Sequence, residues 1–72
     1  MTRMVFELDE AGPVSLVVYD VAGREVTRLV DGVRAAGSHE VVFDASRLPS
    51  GVYLARLATP AHVRTIRIVL LK

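Results

Sequence analysis

Apolar and polar side chains alternate in short runs along this chain, and each run ends in residues that favour a turn. The clearest run spans residues 14–19, in which every second side chain from Val14 to Val18 is aliphatic. A period of two is typical of a β-strand with one packed face and one partly exposed face. No segment keeps the 3.6-residue period of a helix over three turns. The pattern therefore predicts an all-β protein.

Six runs of strand length are predicted, separated by turn residues at intervals of about 8 to 12 residues, the spacing of an antiparallel sandwich. The runs are residues 4–8, 14–19, 24–30, 39–44, 51–58 and 63–72. Residues 31–37 begin with Asp31-Gly32 and end with Gly37, so they could form a loop or a short extra strand, and we predict the loop. The predicted fold is a small antiparallel β-sandwich of six to seven strands, forming one domain over residues 1–72.

Strict alternation assigns side chains to faces in the third and last strands. In the third strand, Val26 and Leu29 are predicted to lie on opposite faces. In the last strand, one face is aliphatic and the other is mixed. The first holds Ile66, Ile68 and Leu70, and the second holds Arg67, Val69 and Leu71.

The turns have recognisable chemistry. In Asp20-Val21-Ala22-Gly23 the carboxylate can accept hydrogen bonds from the following amides, and the glycine can take the positive φ of a type I turn with a bulge. Asp44 opens a crossing in which Leu48 is predicted to point inward. Pro49-Ser50-Gly51 then turns the chain. Tyr53 is predicted to bury its ring while its hydroxyl reaches a backbone partner.

Composition limits the sources of stability and the classes of partner. With 72 residues and no cysteine, the chain must stabilise a single small domain by hydrophobic burial, without disulfides or a thiolate metal site. Nine basic and eight acidic residues give a net charge of +1. Nucleic acid is therefore not predicted as a partner, because it requires a concentrated positive face.

The chain shows neither a predicted membrane-spanning helix nor a secretory leader. Its longest apolar stretch, residues 68–71, is far shorter than the roughly 20 residues that a spanning helix needs. The first four residues, Met1-Thr2-Arg3-Met4, precede no apolar leader segment. If the whole protein is exported, we expect its signal peptide to lie upstream of this fragment.

Candidate catalytic and metal-binding groups are sparse. Ser38 or Ser46 could be combined with His39 and Asp44 as a hydrolytic triad, but these residues lie on one strand and its turn, and no nucleophile elbow is present. Two histidines 23 positions apart are too few for a transition-metal site. The aspartates that begin turns lack the clustered spacing of a calcium loop. We therefore predict no catalytic, cofactor or metal site.

A series of short segments occurs in the order of a known family. They are Phe6-Glu7-Leu8, residues 14–20, Gly23-Arg24-Glu25-Val26, Leu29-Val30, Gly37-Ser38-His39-Glu40-Val41, Phe43-Asp44-Ala45-Ser46, Leu48, Ser50-Gly51-Val52-Tyr53, Arg56-Leu57 and Val69-Leu70-Leu71-Lys72. In this order they closely resemble the type A C-terminal sorting domain of the type IX secretion system, over nearly the whole chain.

The resemblance implies an immunoglobulin-like sandwich that is a secretion signal and not an enzyme. Such domains direct cargo proteins of Bacteroidota across the outer membrane, are recognised by the secretion machinery there, and are often removed by a sorting peptidase. The chain would then be the tail of a larger protein, with its cargo domain upstream. Its expected location is the outer-membrane surface or the medium, reached through the periplasm, and no cofactor is implied.

The matching residues divide into fold residues and candidates for recognition. Those assigned to the fold are Asp20, Gly23, Gly37, Asp44, Gly51 and Tyr53. Recognition is assigned to the last strand, because an edge strand offers unpaired backbone groups to a partner sheet. Its residues are Arg67, Val69, Leu70, Leu71 and Lys72. The same strand could instead be a final core strand protected by charged residues, and exposed strand edges could also pair two copies in a weak dimer.

Two other functions fit the same fold. One is a structural or adhesive immunoglobulin-like module, as in the related domain of flagellar hook-capping proteins, although Phe43-Asp44-Ala45 stands where that group usually has Trp-Asp-Gly. The other is a carbohydrate-binding accessory domain of a secreted enzyme. That function predicts exposed, coplanar aromatic side chains, and this chain has only two phenylalanines, two tyrosines and no tryptophan.

Overall fold

The computed structural model describes residues 2–71, which form six strands and no helix. The strands are β1 (Thr2–Leu8), β2 (Gly12–Asp20), β3 (Glu25–Arg34), β4 (Gly37–Phe43), β5 (Gly51–Ala58) and β6 (Val63–Leu70). All strand pairs are antiparallel. One sheet contains β1 and β4, and the other has the order β3-β2-β5-β6. The predicted small, antiparallel, immunoglobulin-like β-sandwich is confirmed with six strands.

The core lies between the two sheets and includes Val14, Leu16 and Val18, the β2 side chains that alternation placed on one packed face. Val17, which alternation placed on the other face, is buried as well. The four-stranded sheet contributes mainly the inward face of β2, and the two-stranded sheet contributes Phe6, Leu8 and Phe43. Val18 and Phe43 are the largest fully buried side chains, with 0% and 1% of their surfaces exposed. None of the described polar or charged residues is buried. Hydrophobic packing between the sheets, and not a buried polar network, therefore holds the two layers together.

The prediction of a loop over residues 31–37 is wrong for residues 31–34, which belong to β3. Strand β3 continues through Asp31-Gly32 to Arg34, which pairs with Gly12 at the start of β2. Gly32 has φ of 147° and lies opposite Val14, so the glycine serves an irregular strand instead of ending it. Residues 31–34 pair with β2 along their whole length, and this pairing outweighs the local turn signal.

Bulges in β3 also overturn the predicted placement of Val26 and Leu29 on opposite faces. The pairing with β2 shifts register between Leu16 and Val17 and again between Val18 and Tyr19. Each shift leaves one extra residue in β3 and resets the alternation of faces. As a result Val26 and Leu29 both pack against the core.

The β2–β3 turn has the predicted chemistry. The Asp20 Oδ1 atom accepts hydrogen bonds from the backbone amides of Ala22 and Arg24, each at 3.0 Å. Gly23 has φ of 85°, a left-handed conformation that other residues adopt only with strain. The Arg24 Nε atom lies 3.0 Å from Asp20 Oδ2 and adds an ion pair across the turn. Asp44 accepts a similar bond from the Ser46 amide.

The crossing between β4 and β5 is also as predicted. Leu48 is half-buried and packs against the core. The Tyr53 ring is buried, and its hydroxyl donates a 2.8 Å hydrogen bond to the Pro49 carbonyl oxygen. This bond fixes the crossing to the start of β5.

We expect Asp20→Asn to reduce the loss of stability in acid. Bonding to the Arg24 backbone amide, with contributions from its guanidinium and the Ala22 amide, holds the pKa of the Asp20 carboxyl below its ordinary value of 3.8. Ionised Asp20 therefore stabilises the fold above pH 3.8, and this contribution is lost as the pH falls through the lower folded-state pKa. Asparagine keeps an oxygen acceptor but does not ionise. Thermal midpoints measured from about pH 5 to pH 2 should fall less steeply in the variant; equal slopes would exclude Asp20 as a source of acid sensitivity.

Candidate recognition strand

Strand β6 lies at the edge of the four-stranded sheet. It pairs with β5 along its whole length, from Val63 opposite Ala58 to Leu70 opposite Gly51. Among residues 2–71 no strand pairs with its other side. An edge strand of eight residues presents a row of backbone N–H and C=O groups that can pair with a strand from another chain.

The two faces of β6 have different surroundings, as the alternation predicted. The inner face carries Ile68 and Leu70, which are half-buried and pack against the core. The outer face carries Arg67 and Val69, which lie opposite Leu54 and Val52 of β5. Val69 is 53% exposed and Val52 is 37% exposed, so this pair forms a small apolar surface on the same face as Arg67.

The residues predicted for recognition are therefore divided by the structure. Arg67 and Val69 share the exposed outer face, and Leu71 follows β6 with 89% of its surface exposed. Leu70 lies on the inner face and packs against the core, so its side chain does not join that surface. Lys72 lies outside the described residues.

The surface of β5 and β6 is also basic, a feature that the strand-by-strand reading of the sequence missed. No acidic residue follows Asp44, whereas five basic residues do. Arg56, Arg64 and Arg67 belong to β5 and β6, and none of the ion pairs found among residues 2–71 involves them. The distribution of charge along the sequence was the signal that could have identified this basic surface.

A groove opens between β6 and the two-stranded sheet. The groove has a volume of about 560 Å³, and Ile66 and Arg64 of β6 line it together with Phe6 and Glu7 of β1. The groove forms because the two-stranded sheet is narrower than the four-stranded sheet and leaves part of its inner face uncovered. Ile66 is consequently 56% exposed although it lies on the inner face with Ile68.

His39 and Asp44, two of the residues considered for a hydrolytic triad, make local contacts that support the fold. The His39 ring stacks on Phe6 with its centroid 5.3 Å away, and His39 Nε2 lies 2.6 Å from the Ala35 carbonyl oxygen. The pKa of the Asp44 carboxyl is lowered by the hydrogen bond from the Ser46 backbone amide. Within residues 2–71, no three side chains of the metal-binding types come together.

The aromatic side chains are placed for packing. Phe6, Phe43 and Tyr53 are buried in the core, and Tyr19 is half-buried. A carbohydrate-binding platform needs aromatic rings that are exposed and coplanar, whereas three of these four rings are buried and the fourth is half-buried.

The structure is a small two-sheet β-sandwich of the immunoglobulin-like kind, and its edge strand β6 carries two arginines and no acidic residue. The family model described as "Secretion system C-terminal sorting domain" matches residues 2–71. The chain therefore belongs to the family of C-terminal sorting domains of the type IX secretion system, as its sequence resemblance indicated. A comparison with curated proteins gives no match.

Family membership defines the general role. A domain of this family is a C-terminal signal for type IX secretion, interacts with that secretion machinery, and directs export toward the outer membrane or cell surface. In the described part of the chain, no helix is long and apolar enough to cross a membrane.

Proposed function

We propose that this domain is a non-catalytic signal that the type IX machinery binds through the outer edge and outer face of β6. The observation that carries the proposal is that, among residues 2–71, β6 pairs on one side only, while Arg67 and Val69 are exposed. A strand of the machinery that adds to this edge would gain backbone hydrogen bonds, and the side chains of β6 would supply specificity.

The chemistry of β6 also indicates what a complementary strand should carry. The outer face combines the exposed Val52–Val69 pair with the guanidinium of Arg67. A partner strand with an aliphatic residue next to an acidic one would cover both features. Charge pairing at such a surface increases the rate and selectivity of association more than its affinity.

The remaining parts of the proposal follow from the family. Residues 1–72 are one sandwich domain, the tail of a larger protein whose upstream cargo domain does the biological work. The cargo passes from the periplasm across the outer membrane to the cell surface or the medium, in a bacterium of the Bacteroidota type. A sorting peptidase then separates the cargo from the domain.

Export of a fused reporter tests the signal and the β6 surface together. Residues 1–72 fused behind a periplasmic reporter should carry it out of a host that has the type IX system. We expect Arg67→Glu combined with Val69→Asp to lower the exported fraction at least about tenfold, which corresponds to about 1.4 kcal/mol of binding. Both side chains are exposed, so the fold should persist.

The matched control changes the same residue types away from β6. Arg47→Glu combined with Val42→Asp alters the net charge equally at exposed positions, and Val42 is 52% exposed. Export of this control should stay near that of the parent fusion. Equal export of both double variants would remove the β6 face from recognition, and periplasmic retention of a folded parent fusion would refute the export signal itself.

A further inference from the structure

A second strand edge is bare on the same side of the sandwich as β6. Strand β1 pairs only with β4, so its other side has no partner strand within residues 2–71. Residues of β1 and β6 line opposite walls of the same open groove, with Val5 and Glu7 on one wall and Arg64 and Ile66 on the other. Two free edges therefore border one groove.

The directions of these strands allow reciprocal pairing between two copies. Strand β6 is antiparallel to β5, and β5 is antiparallel to β2, so β6 runs parallel to β2. Strand β1 is joined to β2 by residues 9–11 and lies in the other sheet, so it runs opposite to both β2 and β6. A two-fold axis between the sheets and parallel to the strands would place β6 of each copy antiparallel beside β1 of the other.

The apolar surfaces match in this arrangement. The two-stranded sheet of one copy would continue into the four-stranded sheet of the other, giving two layers of six strands with their inner faces still turned inward. The exposed Ile66 side chains of the two copies would then face each other across the groove, above Leu57. The pairing would cover both bare edges at once.

The charges match as well. Strand β1 carries Arg3 and Glu7, and Arg3 is paired with Glu40 of β4 at 3.2 Å. None of the ion pairs found among residues 2–71 involves Glu7, or Asp9 and Glu10 just after the strand, so the unpaired charges at this edge are acidic. The β6 edge carries Arg64 and Arg67 and no acidic residue. Each contact would therefore join the acidic edge of one copy to the basic edge of the other, and the two-fold axis would repeat this contact twice.

We propose that the domain forms a two-fold dimer in which β1 of each copy pairs with β6 of the other. The second copy is the occupant because the two edges of one chain complement each other in direction, apolar surface and charge. This dimer is independent of the proposed function. If β6 is also the strand that the secretion machinery binds, dimerisation and recognition exclude each other.

Sedimentation equilibrium of the 72-residue chain tests the dimer. The apparent mass should rise from the monomer value of 7.8 kDa toward twice that value as the concentration increases. Glu7→Lys should weaken the dimer at least about tenfold, and adding Arg64→Glu should restore most of the loss, because both residues line the groove and an axis parallel to the strands keeps Arg64 of one copy close in level to Glu7 of the other. Asp31→Lys changes the charge equally on β3, the edge strand at the other side of the four-stranded sheet, and should have little effect.

Cross-linking gives a second, independent measurement. The chain has no cysteine, so Ile66→Cys introduces a single thiol. A short bifunctional thiol reagent should link two copies of this variant efficiently, because facing positions in packed sheets are about 10 Å apart. Val33→Cys, which is on the opposite edge strand and is 71% exposed in the parent, should link much less.

These outcomes separate the dimer from the export signal. A parent chain that stays monomeric at high concentration, or equal cross-linking of the two cysteine variants, would overturn the dimer whatever the export assay shows. A chain that dimerises as described but is retained in the periplasm would refute the proposed function and leave the dimer intact.

Discussion

Phe43→Ala is expected to lower the free energy of unfolding by about 3 to 5 kcal/mol. Phe43 is 1% exposed and lies at the end of β4, where its ring joins the two-stranded sheet to the other layer. A domain of 72 residues has a total stability of roughly 4 to 11 kcal/mol. The cavity left by the ring would therefore remove a large part of the stability, and the variant should be partly unfolded at moderate temperature.

Val42→Ala is the matched control for this prediction. Val42 precedes Phe43 on the same strand but points to the outer face, where it is 52% exposed. Its truncation should change the unfolding free energy by no more than about 0.5 kcal/mol. Denaturant unfolding followed by circular dichroism measures both variants. Comparable losses in the two proteins would contradict the assignment of inner and outer faces in β4.

Val18→Asp is expected to prevent stable folding at neutral pH. Val18 is fully buried in β2, an interior strand that pairs with β3 on one side and β5 on the other. Its neighbour across the sheet is Ala55, so a carboxylate at this position would have no cationic partner. An unpaired charge in such a site is among the few substitutions that cost more than about 4 kcal/mol.

The comparison variant is Val21→Asp, which introduces the same charge in the β2–β3 turn. Val21 is 76% exposed, so this protein should unfold within about 0.5 kcal/mol of the parent. Dispersed amide resonances in a proton–nitrogen NMR spectrum would report folding directly. A native spectrum for Val18→Asp with unchanged stability would show that β2 is not the central strand of the core.

The structure gives β6 three roles that its residues divide between them. Ile68 and Leu70 help to close the core, Arg67 and Val69 form the outer face that we propose for recognition, and Ile66 lines the groove where a second copy is proposed to bind. An exposed aliphatic strand is also an aggregation hazard, and charged residues such as Arg64 and Arg67 reduce it. A dimer that covers β6 would protect the strand until the secretion machinery competes for it.

The local features of the fold were predictable because they depend on neighbouring residues alone. Alternation identified all six strands, and the Asp20–Gly23 turn and the Tyr53–Pro49 hydrogen bond were predicted in type. The continuation of β3 through Asp31-Gly32 was not predicted. The segment continues as a strand because it pairs with β2. A local turn signal does not reveal whether a partner strand is available.

The candidate site was predictable only in part. The order of motifs and the alternation in β6 were enough to place Arg67 and Val69 on the opposite face from Ile68. The same alternation placed Leu70 on the face of Ile68, and the structure shows that this face packs against the core. The role of the strand in recognition stays a prediction.

The sequence by itself determined the β-strands, the turn types and the family, because periodicity, turn chemistry and motif order are properties of the linear chain. Only the tertiary structure decided which strands share a sheet and which edges stay unpaired. The division into two and four strands leaves one edge each of β1 and β6 without a partner strand among residues 2–71, and the groove opens between these edges. Strand partners are chosen by contacts between distant segments, and those contacts exist only once the two layers have packed.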